Sequence, residues 1–223
     1  MDSFSTDETV SIAKSFQATV LQREFDGFSS QKNYLLDNCQ QDWVLLIDAD
    51  EVLTPVLCEE IQGIIKSDKA SFDVYEIPFR SYCFGREVRH GGWSHFSKIR
   101  LFRNGSVRFG GEKVHERFVL KEGSSKGKTR GDLLHYTYDD MEECMEKFNR
   151  YSSSGAQDMY ERGKKPSVFK LLSNPLWMFI QRYILKRGFL DGVTGLILAL
   201  YVASYHYAKY AKLYQLHWQK EDR

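Results

Sequence analysis

The stretch Asp42-Trp-Val-Leu-Leu-Ile-Asp-Ala-Asp-Glu-Val-Leu53 decides the fold that the sequence predicts. Its apolar run, Trp43 to Ile47, is short and continuous, which is typical of a strand buried on both faces. The run ends in Asp48, Asp50 and Glu51. Because ligands of open α/β sheets bind at the carboxyl ends of the strands, this acidic end is the first candidate site.

Two carboxylates that meet at the end of a strand favour a divalent cation. Asp48 and Asp50 alternate across an extended chain, so they converge only if the backbone turns between them. Converging carboxylates raise each other's pKa, and a cation that prefers oxygen ligands removes that cost. The expected ion is Mg²⁺ or Mn²⁺ bridging a diphosphate. An acidic turn without any ligand is an equal alternative, since Asp-x-Asp is a very short motif.

The segments around this stretch predict alternating helices and strands. They are a helix from the capping box Ser5 to Glu8 through Phe16, a strand at 18–21, and helices at 31–39 and 54–65. Alternation of this kind predicts a parallel sheet with crossover helices.

From Phe72 to Tyr136 the pattern changes to short β segments separated by glycines. The predicted strands are 73–78, 81–84, 98–103, 107–109, 117–121 and 133–136. Asn104-Gly105 between two of them predicts a hairpin. This half is therefore an antiparallel or mixed extension of the sheet, and a helix over 139–162 follows it.

Charge divides the chain at about Gly163. Residues 163–223 carry ten basic and three acidic side chains, whereas residues 1–162 have a net charge of −6. We therefore expect a domain at 1–162 and a basic helical tail at 163–223. Such a tail favours an anionic surface as its partner, and we expect no nucleic acid.

Within the tail, the apolar residues of 174–187 form one stripe with basic residues beside it. This pattern is typical of a helix that lies in a membrane interface. The next apolar stretch, 192–205, is shorter than the ~20 residues that span a bilayer. The alternative is a pair of helices that packs on the domain or on a second subunit.

The four cysteines form no C-x-x-C pair, and the N-terminus is polar and has no signal-peptide pattern. We therefore expect reduced thiols in the cytoplasm, without a zinc site or a disulfide framework.

Several motifs together resemble the family 2 glycosyltransferases of the GT-A fold. They are Asp2-Ser-Phe-Ser-Thr-Asp7, Lys32-Asn33, Trp43 to Glu51, Val114-His-Glu116, Leu134-His-Tyr136 and Gly188-Phe-Leu-Asp-Gly192. The branch that the chain resembles includes lipopolysaccharide core glucosyltransferases that modify heptose. The resemblance implies an α/β fold: a GT-A-like, Rossmann-like mixed sheet with crossover helices, an antiparallel β extension and a C-terminal amphipathic helical tail.

The resemblance also implies roles for individual residues. Asp2, Lys32, Asn33 and Asp48 would contact the nucleotide sugar, and Asp50 would bind the metal. Glu116 would be the general base, with His115 as a metal or phosphate ligand or as the group that orients Glu116. The implied reaction moves a hexose from a nucleotide-diphosphate sugar to a glycolipid acceptor and inverts the configuration at the anomeric carbon. Among the donors, UDP-glucose is the first candidate. The implied location is the cytoplasmic, inner face of a bacterial membrane.

Family members have a strand, a nucleotide loop and a second strand before the Asp2 motif, and this sequence begins without them. We therefore expect an N-terminally incomplete transferase domain whose activity is open. One alternative is an inactive transferase that persists as a membrane-associated binding protein. The other is a phosphatase of the haloacid dehalogenase type, whose nucleophile motif Asp48-x-Asp50 would also match.

Overall fold

The computed structural model describes residues 1–67, 71–110 and 117–221. The described helices are α1 Thr9–Ser15, α2 Phe28–Asn38, α3 Pro55–Lys66, α4 Met141–Glu161, α5 Val168–Phe179 and α6 Gly192–Glu221. The described strands are β1 Trp43–Leu45, β2 Glu51–Leu53, β3 Val74–Cys83, β4 Arg86–Val88, β5 Ser97–Arg103, β6 Val107–Gly110, β7 Arg117–Leu120, β8 Lys126–Lys128 and β9 Leu133–Tyr138. The fold is mixed α/β, as predicted.

The chain forms two compact units whose segments alternate along the sequence. Unit 1 comprises Met1–Ile47, Pro55–Ile77 and Lys98–Gly131. Unit 2 comprises Asp48–Thr54, Pro78–Ser97 and Asp132–Arg223. Strand β3 begins in unit 1 and ends in unit 2.

In unit 1, β5 lies between β1 and the first half of β3. The pairing of β1 with β5 is antiparallel, rather than the parallel arrangement expected for the first strands, and β8 runs parallel to β3. Apolar side chains from these strands, α2 and β6 form the core: Leu36, Val44, Leu46, Val74, Ile99, Phe102, Val107 and Phe109. The prediction that Trp43 to Ile47 is buried on both faces is wrong: Val44 and Leu46 are buried in this core, whereas Ile47 is 45% exposed. Antiparallel strands commonly bury one face only.

The hairpin predicted at Asn104-Gly105 is wrong. The turn forms, with the Ser106 N–H donating to the Arg103 carbonyl at 3.0 Å. Both edges of β5 are already occupied by β1 and β3, so β6 pairs with β7 instead.

In unit 2, β9 lies between the second half of β3 and β2. It runs parallel to β3 and antiparallel to β2, and β4 pairs with β3 on the opposite side. Helices α4 and α6 pack with this sheet through a buried cluster of Cys83, Val88, Tyr138, Cys144 and Leu198. Asp140 caps α4 by accepting a hydrogen bond from the Glu143 N–H at 2.8 Å.

Most predicted elements are confirmed, with two exceptions near the N-terminus. The capping box is wrong: the N-cap of α1 is Glu8, whose side chain makes no capping hydrogen bond, and the Ser5 hydroxyl donates to Asp2 instead of accepting from a helix N–H. Residues 18–21 form no strand; a single parallel bridge joins Asp2 and Gln22 instead.

The tail is helical almost throughout. Helix α5 continues into a π-helical segment, Ile180–Leu185, and a 3₁₀ turn, Gly188–Asp191, precedes α6. By length and composition, the segment Gly188–Gln219 could cross a membrane, so the expectation that this stretch is too short is wrong. Because 33% of its most apolar stretch is buried, and the core helix of a soluble protein passes the same test, the segment does not by itself identify a span.

Candidate metal centre

Three potential metal ligands meet in unit 2 where β2 pairs with β9. Asp50 immediately precedes β2, Glu51 is its first residue, and His135 lies directly opposite Glu51 in the antiparallel register. The carboxylate oxygens and the imidazole nitrogen all lie within 4.8 Å of one another. The structure therefore groups Asp50 with Glu51 and His135.

A tight turn after β1 makes this grouping possible. The Glu51 N–H donates to the Asp48 carbonyl at 3.1 Å, and the Asp48 N–H donates to the Glu51 carboxylate at 3.0 Å. The backbone turn that the sequence required between Asp48 and Asp50 is thus present. It leaves Asp48 half-buried and places Glu51, a residue only 6% exposed, beside Asp50.

The Asp50 carboxylate is held in its charged form. His135 Nε2 lies 3.3 Å from Asp50 Oδ2, and this hydrogen bond is the largest cause of a lowered pKa at Asp50. Partial burial acts in the opposite direction, and the positive charge of Lys147 adds a smaller lowering effect. A charged carboxylate is the form that binds cations.

The His135 ring is oriented by its neighbours in unit 2. Its Nδ1 lies 3.2 Å from the Thr137 hydroxyl, and its plane is perpendicular to the Phe79 ring at 5.9 Å between centroids. The Tyr136 N–H donates to the Asp50 carbonyl at 2.8 Å, which anchors that backbone. Partners of this kind determine which imidazole nitrogen is available to a metal.

The donor set fits a divalent cation. Two carboxylates and an imidazole lie close enough to share one ion, with Asp50 Oδ2 and His135 Nε2 3.3 Å apart. Because the set combines carboxylates with an imidazole, it favours Mn²⁺ over Mg²⁺.

Asp2 lies in unit 1 with its carboxylate engaged by its own loop. It accepts hydrogen bonds from the Phe4 N–H at 3.1 Å, the Ser5 N–H at 3.2 Å and Gln22 Nε2 at 2.9 Å. The Gln22 contact is the largest cause of its lowered pKa. This carboxylate organises the loop, and its predicted contact with the nucleotide base stays a prediction.

Lys32 and Asn33 lie on α2 beside β6 in unit 1. The Asn33 amide binds the Phe109 backbone twice, donating to its carbonyl at 2.8 Å and accepting from its N–H at 2.9 Å. Lys32 Nζ lies 5.5 Å from the centre of the Phe109 ring. The predicted catalytic residues Glu116 and His115 lie outside the described residues.

Sequence reasoning gave no role to Glu51 or to His135. Glu51 was grouped with the acidic end of the strand, and His135 was only part of a motif. No local pattern marks His135, because its partner strand lies more than 80 residues earlier in the chain. A lone histidine in a strand is ordinarily a structural residue, and only the pairing of β2 with β9 reveals its neighbours.

Comparison with known proteins places this geometry in context. The sequence profile described as Glycosyl transferase family 2 matches residues 1–123. An uncharacterized glycosyltransferase of Rickettsia typhi is 32% identical over 97% of this chain and 77% of its own length. The lipopolysaccharide core biosynthesis glycosyltransferase LpsC of Rhizobium meliloti is 30% identical over 97% of this chain and 82% of its own length.

Proposed function

This chain belongs to Glycosyl transferase family 2, and from that premise we propose that it moves a hexose from a nucleotide-diphosphate sugar to a glycolipid acceptor. UDP-glucose is the proposed donor, and a lipopolysaccharide core is the proposed acceptor, as the name of the LpsC relative suggests. Family membership supports a sugar transferase rather than the alternative phosphatase.

The observation that carries the proposal is the cluster of Asp50, Glu51 and His135. A divalent cation bound there would neutralise the negative charge that develops on the departing diphosphate. Asp50 and His135 would hold the cation, and the turn at Asp48 would place the largely buried Glu51 as a further ligand. Asp2, Lys32 and Asn33 keep their proposed contacts with the nucleotide.

For the acceptor side, we propose Glu116 as the general base, with His115 beside it. The Glu116 carboxylate would accept the proton of the acceptor hydroxyl as its oxygen attacks the anomeric carbon. Attack opposite the leaving diphosphate inverts the configuration in one step. General-base assistance of this kind contributes about 10²- to 10⁴-fold to the rate.

The tail at 163–223 is the proposed membrane contact. Its charge is positive, and α5 exposes several large apolar side chains. That combination supports peripheral binding to an anionic bilayer at the cytoplasmic face.

Calorimetric titration of UDP into the protein, with and without Mn²⁺, tests the donor site. We expect Mn²⁺-dependent binding that Asp50→Asn abolishes and that Glu146→Gln, an exposed acidic control on α4 in the same unit, leaves unchanged. Single-turnover transfer from UDP-glucose then tests the base: Glu116→Gln should retain UDP binding but lose transfer. A folded protein that binds no UDP under either condition would contradict the transferase proposal and would favour the inactive, membrane-associated alternative.

A further inference from the structure

A glycine turn and the tail helix form a second site in unit 2. Gly91 and Gly92 both have a positive φ, +67° and +81°. The Gly91 N–H donates to the Lys186 carbonyl at 2.8 Å, and Arg182 Nη1 donates to the carbonyls of Gly91 at 2.9 Å and Gly92 at 3.4 Å. The turn is therefore attached directly to the π-helical segment of the tail.

Two cations converge on Gly92. A Cβ atom built on this glycine would lie 2.6 Å from Arg182 Nη1 and 2.9 Å from Lys186 Nζ. The Arg182 and Lys186 side chains thus pack directly over Gly92, and no side chain fits at this position. Any other residue would also adopt the left-handed backbone only with strain.

Neither cation has an acidic partner within the described part of the chain. Arg182 Nε is buried without a hydrogen-bond partner, and no described carboxylate forms an ion pair with Arg182 or Lys186. The nearby carboxylate of Asp191 is already engaged by the N–H groups of Arg89 and His90 and by the His90 ring. Desolvation lowers the pKa of Arg182, because its positive charge is partly buried.

The surroundings of the two cations are positive and apolar. The charges of Lys209 and Arg182 both act on the half-buried His206. The same segment exposes large apolar side chains, namely Ile184, Leu185, Phe189 and Leu190. A positive site bordered by exposed apolar residues matches an anion carried on a hydrocarbon chain.

We propose that Arg182 and Lys186, held against Gly91-Gly92, bind the phosphate of a membrane lipid headgroup. Arg182 Nη1 holds the guanidinium against the carbonyls of Gly91 and Gly92, so its Nη2 would donate to the phosphate. The Lys186 ammonium would add a point charge, and the flanking apolar side chains would contact the acyl region. The inference deepens the membrane contact of the proposed function and does not depend on the metal cluster.

The test measures flotation of the full chain with phosphatidylcholine vesicles that contain phosphatidic acid. Parallel vesicles contain oleate, a carboxylate, adjusted to the same surface charge. Each exposed Lys or Arg side chain near an anionic membrane surface strengthens vesicle binding by about fivefold through its charge alone. The ratio of phosphatidic acid binding to oleate binding therefore isolates recognition of phosphate from simple attraction.

We expect the wild-type ratio to be about tenfold and to fall close to one in Arg182→Gln/Lys186→Gln. The matched control, Lys165→Gln/Lys170→Gln, removes two exposed charges from the same tail and should weaken both kinds of binding while keeping the ratio. Lys186→Gln alone provides a second test if Arg182→Gln fails to fold, because the Lys186 ammonium makes no described hydrogen bond.

Two outcomes would overturn the inference. Equal binding to both kinds of vesicle by the wild-type chain would mean that only surface charge is sensed. Displacement by inorganic phosphate as effective as displacement by dihexanoyl phosphatidic acid would identify a site for soluble phosphate rather than for a lipid. Asp50→Asn should retain vesicle binding, so failure of the transferase proposal is distinguishable from failure of this one.

Discussion

At the scale of single residues, His135 has two partners that define its role. Its Nε2 faces Asp50 and its Nδ1 faces the Thr137 hydroxyl. A histidine that binds a metal through one nitrogen is normally held by a hydrogen bond at the other nitrogen. Thr137 is therefore a positioning residue for the proposed metal centre.

Thr137→Val should weaken Mn²⁺ binding by roughly 10- to 100-fold while keeping the fold, since it removes the hydroxyl but preserves the side-chain shape. Titration of Mn²⁺ followed by electron paramagnetic resonance measures the effect. Thr6→Val, on the exposed loop of unit 1, is the control. Unchanged Mn²⁺ affinity in Thr137→Val would show that His135 is not oriented for a metal.

His206 provides a prediction on acid stability. Burial, followed by the positive charges of Lys209 and Arg182, lowers its pKa from 6.5 to about 4. The unfolded chain therefore takes up a proton at a pH where the native protein does not. The free energy of unfolding should fall as the pH drops from about 6.5 to about 4, with no further loss from this group at lower pH.

Urea unfolding across that pH range measures the slope. His206→Gln should flatten it, whereas His95→Gln, at an exposed position, should leave it unchanged. If both variants keep the wild-type slope, His206 is not the group responsible.

Residue-level prediction from sequence names candidates where the information is local. Asp50 is identifiable as a candidate because it lies just beyond the apolar run Trp43 to Ile47. His135 is not, because its proximity to Asp50 depends on the pairing of two strands distant in sequence. Asn33 shows another difficulty: its amide binds the Phe109 backbone, a contact that no sequence pattern indicates, and its predicted contact with the nucleotide stays a prediction.

At the scale of elements, the first turn of α6 packs so closely on the preceding 3₁₀ turn that position 195 has no room for a side chain. A Cβ atom on Gly195 would overlap the carbonyl oxygen of Gly188 in the preceding 3₁₀ turn. In α3, by contrast, a Cβ atom on Gly63 would meet nothing within 4 Å.

Gly195→Ala should therefore destabilise the protein by about 1–3 kcal/mol, because the turn must move away from the helix. Gly63→Ala should instead stabilise it by about 0.5–1 kcal/mol through helix propensity alone. Thermal unfolding of both variants measures the contrast. A neutral Gly195→Ala would mean that the 3₁₀ turn adapts without cost.

The helices and the strand pairing also show which predictions succeed and why one fails. The helix at 31–39 and the helix after Pro55 follow from periodicity and are present as α2 and α3. The hairpin at Asn104-Gly105 fails because strand pairing depends on which edges are free, and β1 and β3 occupy both edges of β5. Local turn chemistry predicts the turn and cannot predict the partner.

At the scale of the whole molecule, the tail combines positive charge with exposed hydrocarbon. On α5, Phe169, Leu172 and Leu176 are 77%, 66% and 63% exposed. Side chains this exposed contribute little to folding, because most of their surface stays in contact with water. Their surface is therefore available to a bilayer.

The triple variant Phe169→Ser/Leu172→Ser/Leu176→Ser should lose at least about tenfold in binding to anionic vesicles. Its thermal stability should stay within about 0.5 kcal/mol of the wild type, as for ordinary surface positions. Vesicle flotation and thermal unfolding measure the two quantities. Val119→Ser, an exposed apolar site in unit 1, should change neither, and a triple variant that binds vesicles normally would remove α5 from the membrane contact.

The placement of the proposed metal ligands, with Asp50 and Glu51 at the start of β2 and His135 on β9, has a consequence for biosynthesis. His135 follows Asp50 by 85 residues, so a ribosome that adds about 5–20 residues per second makes the third ligand roughly 4 to 17 s after the first. The nascent chain thus presents an isolated acidic pair during that interval. The complete ligand set would form only when β2 and β9 pair. Binding of manganese would therefore follow assembly of this sheet and precede binding of the sugar donor.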